Sequence, residues 1–258
     1  MLTDTHAFLG RWPFLPHREQ TGSELATHLG EHGIRRALVS PLGAAFLPEP
    51  MPANRELFAA VRRVPALVPV PVINPALATW RDHLDECVAA ARVTVVRILP
   101  NYHNYTLRHP RLVEFMAELT RRRLNLAISV RLEDERNRYH GLTVRGVPAA
   151  DLAAFLHRHP GHHVLCNGLY KAEIERLARE CGNFTADLTF AEFLDTLATL
   201  RAVLPVSRIV VGTGTPLLST AAQLAKLHHS RQPARERAAI GGLSALRFLA
   251  PRRSTARP

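Results

Sequence analysis

Residues 94–130 read TVVRILPNYHNYTLRHPRLVEFMAELTRRRLNLAISV. Two short apolar runs, 94–99 and 124–130, flank an amphipathic stretch at 111–122. There Leu112, Phe115, Met116 and Leu119 recur at the three-and-four spacing of one helix face. A run that is apolar at nearly every position suits a strand buried on both sides, as in a parallel sheet covered by helices. Working outward, the same alternation places further strands at 2–6, 36–40, 67–73, 163–166, 183–188 and 208–212. Helices are expected at 23–32, 53–64, 80–91, 149–159, 172–179, 191–204, 220–228 and 234–249. Eight strands alternating with helices predict an α/β protein of one domain, a (β/α)8 TIM barrel over residues 1–250, with 251–258 a disordered basic tail. The length of 258 residues suits that architecture, whose typical size is roughly 250. An open doubly wound sheet fits the alternation too, but it favours a glycine-rich phosphate loop after the first strand, and residues 6–10 read HAFLG.

Local markers agree with this map. Ser23 with Glu24 opens a helix that Gly33 can end, and Gly182 stands where the sixth helix should stop. No repeat or low-complexity linker divides the chain. Hydrophobic residues make up 47%, yet no run approaches the ~20 apolar residues of a membrane span. The opening MLTDTHAFLG lacks the basic-then-apolar signature of an export signal, so a cytoplasmic location is expected. Cys87, Cys166 and Cys181 are unevenly spaced without a CxxC, which implies neither a disulfide framework nor a zinc knuckle. The formal charge of +11 raises the question of nucleic acid, but the basic residues are dispersed and nearly all Arg. Without a reading motif, a nucleic-acid partner is not expected. The run Arg121–Arg122–Arg123 suits the negative end of a helix.

In a parallel barrel, reactive groups gather at the C-terminal strand ends and the loops beyond them. Those segments read DTHAFLGRWPF, RILPNYHNYTL, SVRLEDERNRYH, LCNGLY, DLTF and GTGTPLL. Asp4-Thr5-His6-Ala7-Phe8 resembles the D-x-H-x-H opening of the amidohydrolase-related family. Arg97-Ile-Leu-Pro100 is similar to that family's fourth strand, Gly212-Thr-Gly-Thr-Pro216 to its eighth, and residues 239–249 to its closing helix. RWPF, PNYH and LEDER resemble one divergent branch of it. The resemblance implies hydrolysis of C–N or C–O bonds, or in some branches decarboxylation. It also implies a divalent metal held by two His of strand 1, a His at the end of strand 5, often one on strand 6, and an Asp at the end of strand 8. At those places this chain has His6, Phe8, Val130-Arg131, Asn167 and Gly214. A catalytic zinc needs about three protein ligands, so a high-affinity site of the family kind is not expected. One weakly held divalent metal (Zn, Mn or Mg) on His6 and Asp4 is the remaining possibility. A hard ion would have Asp4, Asp187 and the Glu133–Asp134 pair to draw on, with His140 near the same rim.

The candidate catalytic residues are Asp4, His6 and Asp187. Asp4 and His6 lie two apart on one strand and so share a face; they can equally satisfy one another as a structural pair. Arg97 ends a buried strand and needs an acid or an anionic ligand. With Arg131 it is expected to hold a substrate carboxylate. Asn101, Tyr102, His103 and Tyr105 form a dense polar loop after strand 4, expected to orient a substrate. Glu133 and Asp134 join the substrate-binding set, although the LEDER run also reads as a self-neutralising surface segment. Trp12-Pro13-Phe14 is expected to pack as an apolar lid or plug. The histidines around Pro160-Gly161 fall on the opposite, stability face. The leading expectation is a hydrolase of a small anionic organic molecule. Its rival is a barrel that binds a ligand or partner without turnover, and a homo-oligomer is compatible with either.

Overall fold

The computed structural model describes residues 1–136 and 144–250. His140 and the 251–258 tail lie outside the described residues. The strands are β1 (Leu2–Leu9), β2 (Ile34–Pro41), β3 (Leu67–Pro69), β4 (Val95–Ile98), β5 (Asn125–Ser129), β6 (Val164–Asn167), β7 (Phe184–Asp187) and β8 (Ile209–Val210). β1 to β3 pair in parallel, as do β4 to β8. Two seams close the ring. Arg97 bridges to the segment after β3, with Arg97 N donating to Pro71 O and Ile73 N to Arg97 O, both at 2.9 Å. At the other seam Thr5 N donates to Val211 O (2.9 Å), Gly214 N to His6 O (2.7 Å) and Phe8 N to Thr215 O (2.8 Å). The result is the closed barrel the alternation predicts.

The helices are α1 (Gly22–Glu31), α2 (Met51–Val61), α3 (Trp80–Ala90), α4 (Arg111–Arg122), α5 (Ala149–Arg158), α6 (Lys171–Glu180), α7 (Thr196–Arg201), α8 (Thr220–His228), α9 (Ala234–Ala238) and α10 (Ser244–Leu249). α1 begins one residue before the expected Ser23. Thr21 caps it, and Glu24 returns the bond to the Thr21 N–H, which satisfies two otherwise orphan donors. α7 is much shorter than the expected 191–204, because Asp195 caps it and accepts from Ala198 N at 3.0 Å. Residues 191–195 are thereby left in the loop after β7. The expected helix 234–249 is interrupted by a π-helical turn at Ala239–Leu243. There Gly241 and Gly242 lie so close to Met1 and Leu2 that a Cβ at Gly242 would collide with the Met1 carbonyl.

The period-two rule explains the interior. Leu38, Val70, Val95, Ala127, Leu165 and Val210 form one apolar cluster with Ala245 and Phe248 of α10, which stop the bottom of the barrel. Two residues further along each strand the same face presents Ser40, Val72, Arg97, Ser129, Asn167 and Gly212, a largely polar layer. Above it Phe8, Trp12, Leu99 and Leu132 are buried together with Leu42, Ala44 and Ala45. The polar layer is therefore enclosed between two apolar ones, and the main core fills the space between strands and helices.

Candidate active site at the barrel mouth

His6 is the centre of the polar layer. Its Nδ1 lies 2.8 Å from Asp187 Oδ2 and 3.0 Å from Thr189 Oγ1, and both His6 and Asp187 are fully buried. Asp187 also accepts from Asn167 Nδ2 (2.8 Å), Gly168 N (3.1 Å), Thr189 N (3.3 Å) and Thr189 Oγ1 (2.8 Å). Burial pushes the Asp187 carboxyl up, but His6 and these donors outweigh it and hold it down at about 2. An ionised carboxylate only accepts, so Nδ1 carries the ring proton and Nε2 is an acceptor. Burial holds His6 below its ordinary pKa, which keeps the ring neutral near pH 7. Nε2 is buried and has no hydrogen-bond partner. A neutral imidazole fixed on one nitrogen, with the other free, is the arrangement of a general base.

Close packing protects this pair. A Cβ on Gly212 would strike the Asp187 carboxylate, so only glycine lets β8 pass behind it. From α8, Lys226 Nζ donates to Leu188 O (2.8 Å) and Thr189 O (3.1 Å), which fixes the turn carrying Asp187 and Thr189. Burial lowers Lys226 to about 8.

Asp4 faces the same interior, but its partner is not the His6 ring. Its Oδ1 accepts from His6 N (2.9 Å) and Thr213 N (3.0 Å), and its Oδ2 from Thr213 Oγ1 (2.5 Å). Burial raises its pKa, against the pull of those bonds. Arg97 is completely buried and makes only two long bonds, Nη1 to Ser129 Oγ and Nη2 to Thr5 O, each at 3.3 Å. Its Nε has no partner, and no carboxylate among the described residues lies within ion-pair distance. Burial lowers it to about 10, offset by the fields of Asp187 and Asp4, so it stays charged at neutral pH. The guanidinium sits 5.1 Å over the Phe8 ring.

The remaining candidates are engaged elsewhere. Arg131 is committed to Glu173 through two bonds of 2.7 Å and to Glu135 at 3.0 Å, and it lies 3.9 Å over Tyr170. Its charge is thus neutralised within the fold rather than offered to a carboxylate, contrary to expectation. Asn101 ties Val130 O to Arg145 O, and His103 Nε2 donates to Ala44 O at 2.8 Å. The Tyr105 hydroxyl is buried without a partner in the main core. Tyr102 packs beside Trp12, whose Nε1 donates to Glu133 at 2.9 Å. Asp134 accepts from Tyr170 Oη and from Arg136. This polar loop braces the mouth, and Trp12 and Phe14 pack over it with Phe46. Sequence reasoning missed Thr189, Thr213 and Lys226. The first two stand two residues beyond Asp187 and Val211, a spacing that could have pointed to them.

A divalent metal does not fit these residues. Among the described residues no group of three His, Cys, Asp or Glu is placed to hold one. Phe8 fills the second strand-1 position with its ring 5.0 Å from His6, and Arg97 brings a like charge. Gly214 has φ +68, and a side chain there would begin 2.9 Å from Leu218 and 3.2 Å from Thr189. Asp4 is filled by bonds from His6 N and Thr213, and His6 offers one free nitrogen alone, so the ligand set that the weak-metal expectation needs does not form here.

No family model matches the chain, and no curated protein matches it significantly. Solved structures do. The 5-carboxyvanillate decarboxylase from Sphingomonas paucimobilis superimposes with a TM-score of 0.76 at 13% identity, covering 97% of this chain and 99% of that one. A dihydroxybenzoic acid decarboxylase from Polaromonas, with bound manganese and the inhibitor 2-nitroresorcinol, gives 0.73 at 13% identity, with 96% of each chain covered. A probable 2-pyrone-4,6-dicarboxylic acid hydrolase from Acinetobacter baumannii, with citric acid bound, gives 0.70 at 12% identity over 96% and 98%. At such identities the likeness is one of fold: the chain is a TIM barrel of the shape these proteins share.

Proposed function

We propose that this chain is an amidohydrolase-type barrel enzyme acting on a small anionic organic molecule, by hydrolysis of a C–N or C–O bond or by decarboxylation, with no resident metal. The observation that carries the reading is His6 Nε2, a buried acceptor without a partner, on a ring whose other nitrogen is fixed by Asp187. His6 is the general base, Asp187 sets its tautomer, and Arg97 is the buried cation that an anionic group would pair with. The three structural relatives named above are all described as acting on carboxylated compounds, which supports the substrate class. No helix among the described residues is long and apolar enough to cross a membrane, and the three cysteines are free and buried. A reducing, cytoplasmic setting is in keeping with that.

The test is a screen of hydroxybenzoate decarboxylation and of lactone, ester and amide hydrolysis, with and without added Mn2+ or Zn2+. Turnover should survive chelation. His6→Gln should lower kcat by about 10²–10⁴-fold, the usual range for a positioned proton-transfer group. Arg97→Met should act chiefly by raising KM. Metal-dependent turnover, or turnover indifferent to His6→Gln, would overturn the reading. A second reading is favoured by the apolar layer of Phe8, Trp12, Leu99 and Leu132 that closes over His6. On it the barrel binds an anion without turning it over, and saturable binding with no product across the screen would select it.

A further inference from the structure

Arginines that are dispersed along the sequence are gathered by the fold. In a parallel barrel every helix-to-strand connection lies at the N-terminal end of the strands, opposite the mouth. Arg35 stands at the start of β2, Arg62 and Arg63 between α2 and β3, Arg92 between α3 and β4, and Arg123 between α4 and β5. All five side chains are exposed, and none has a carboxylate within ion-pair distance among the described residues. Acids on the neighbouring helices are spent on other arginines: Asp85 on Arg122, Glu86 on Arg55 and Glu118 on Arg121. Glu31, the last residue of α1, is the unpaired acid of this sector.

α10 supplies the middle of the same face. Ser244 Oγ donates to Val206 O (2.8 Å) beside β8, and Asn125 Nδ2 donates to Phe248 O (2.9 Å) at the start of β5, so the helix crosses the barrel floor. Its Ala245 and Phe248 pack upward against Val95 and Leu165. Leu243, Leu246 and Arg247 are left on the outward side, with Leu243 56% and Leu246 37% exposed. Two aliphatic side chains and a set of uncompensated arginines thus share one end of the molecule. We propose that this end is a docking surface for an anionic lipid bilayer, with the arginines on the headgroups and the two leucines at the boundary with the acyl chains. The inference is independent of the chemistry at the mouth, which opens at the other end of the barrel.

Charge complementarity favours this occupant. A polybasic face is drawn to an anionic leaflet, the planar guanidinium pairs with phosphate, and exposed apolar side chains add insertion. The field is directional as well. Glu24, Asp82, Glu114, Asp151 and Glu173 stand in the first turns of their helices, toward the mouth, so the formal charge of +11 is weighted to the opposite end. Such a charge distribution turns the arginine face to a negative plane and leaves the mouth in solution. A nucleic acid calls for an element shaped to a groove or for aromatic rings on which bases stack. The apolar groups on this face are aliphatic, and the exposed Phe46 and Phe193 lie on loops at the mouth.

Co-sedimentation of the whole chain with lipid vesicles is the test. Vesicles of phosphatidylcholine mixed with phosphatidylglycerol should carry the protein down at low salt, vesicles of phosphatidylcholine alone should not, and added salt should release it. Arg62→Gln/Arg63→Gln should weaken partitioning about fivefold for each arginine removed, the usual worth of a basic side chain near an anionic surface. Arg11→Gln/Arg18→Gln takes the same charge from the loop after β1, at the mouth, and should change it less than about twofold. Leu243→Gln/Leu246→Gln should weaken it about tenfold, equivalent to roughly two inserted methylene groups, and leave the salt dependence as it was. All six of these side chains are exposed, so each variant should fold, which circular dichroism checks. The docking surface is overturned if anionic vesicles leave the protein in solution, if the two arginine pairs weaken binding equally, or if the leucine pair has no effect. Tighter binding to random-sequence duplex DNA than to the vesicles, lost in Arg62→Gln/Arg63→Gln, would overturn it too and make this end a nucleic-acid surface.

Discussion

Asp187→Asn should both loosen the fold and stop proton transfer at His6. Asp187 is fully buried and receives five donors, from the His6 ring, Asn167, Gly168 and, twice, Thr189. An asparagine offers one acceptor oxygen and an NH2 that must face some of those donors. Leaving a buried donor without its acceptor typically costs about 1–3 kcal/mol. Linkage gives a second route to the size: the carboxyl moves from 3.8 to about 2 on folding, nearly two units at ~1.4 kcal/mol each, or roughly 2.5 kcal/mol. A depressed folded pKa stabilises above the unfolded value and the benefit is lost as pH falls through the folded one. The wild-type advantage over Asp187→Asn should therefore be complete by about pH 5 and shrink between about pH 4 and pH 2. Urea unfolding of both proteins across that range reads it. A difference under about 1 kcal/mol at pH 7, or one that does not narrow on acidification, would show that Asp187 is not the ionised anchor argued here.

Phe8→His restores the second imidazole of the strand-1 pattern, yet equilibrium dialysis against Zn2+ or Mn2+ should show no stoichiometric uptake, because Arg97 and the empty Gly214 position remain; tight uptake by this single variant would refute the steric and charge argument. Lys226 has a folded pKa near 8, below its ordinary 10.5, so the unfolded chain binds more protons between those values and stability should rise with pH across that window. Lys226→Met should abolish that rise, and it should free the Leu188 and Thr189 carbonyls, visible as faster amide exchange in the 187–190 turn.

The barrel was legible because its signals are local. Eight apolar runs at the right spacing define strands, and the polar layer follows from period two once Val95, Ala127 and Leu165 are placed at the bottom. Helix ends were less legible: Asp195 rather than Ala191 begins α7, since a side chain that caps the backbone outcompetes apolar periodicity. The site was half legible. Asp4, His6, Arg97 and Asp187 could be nominated as polar groups at strand ends, but which of them pair depends on barrel closure, which no local pattern encodes. His6 meets Asp187 across 181 positions of sequence, while the nearer Asp4 binds only the His6 backbone. Arg131 misled for the same reason, because Glu173 lies 42 positions away along the chain, beyond α5 and β6.

The interior charges also explain why the metal pattern is incomplete. A divalent ion with two or three carboxylate and imidazole ligands brings two positive charges to such a layer. Here Arg97 supplies one fixed positive charge, and the layer has correspondingly fewer ligands: Phe8 and Gly214 stand where an imidazole and a carboxylate would be. With Asp4 and Asp187 both ionised and His6 neutral, the layer would carry one net negative charge, and an incoming anion would make it two. At an effective dielectric of about 20, like charges 4 Å apart repel by ~4 kcal/mol. Arg97, whose Nε has no partner, is the charge that offsets that repulsion for an anion bound beside it.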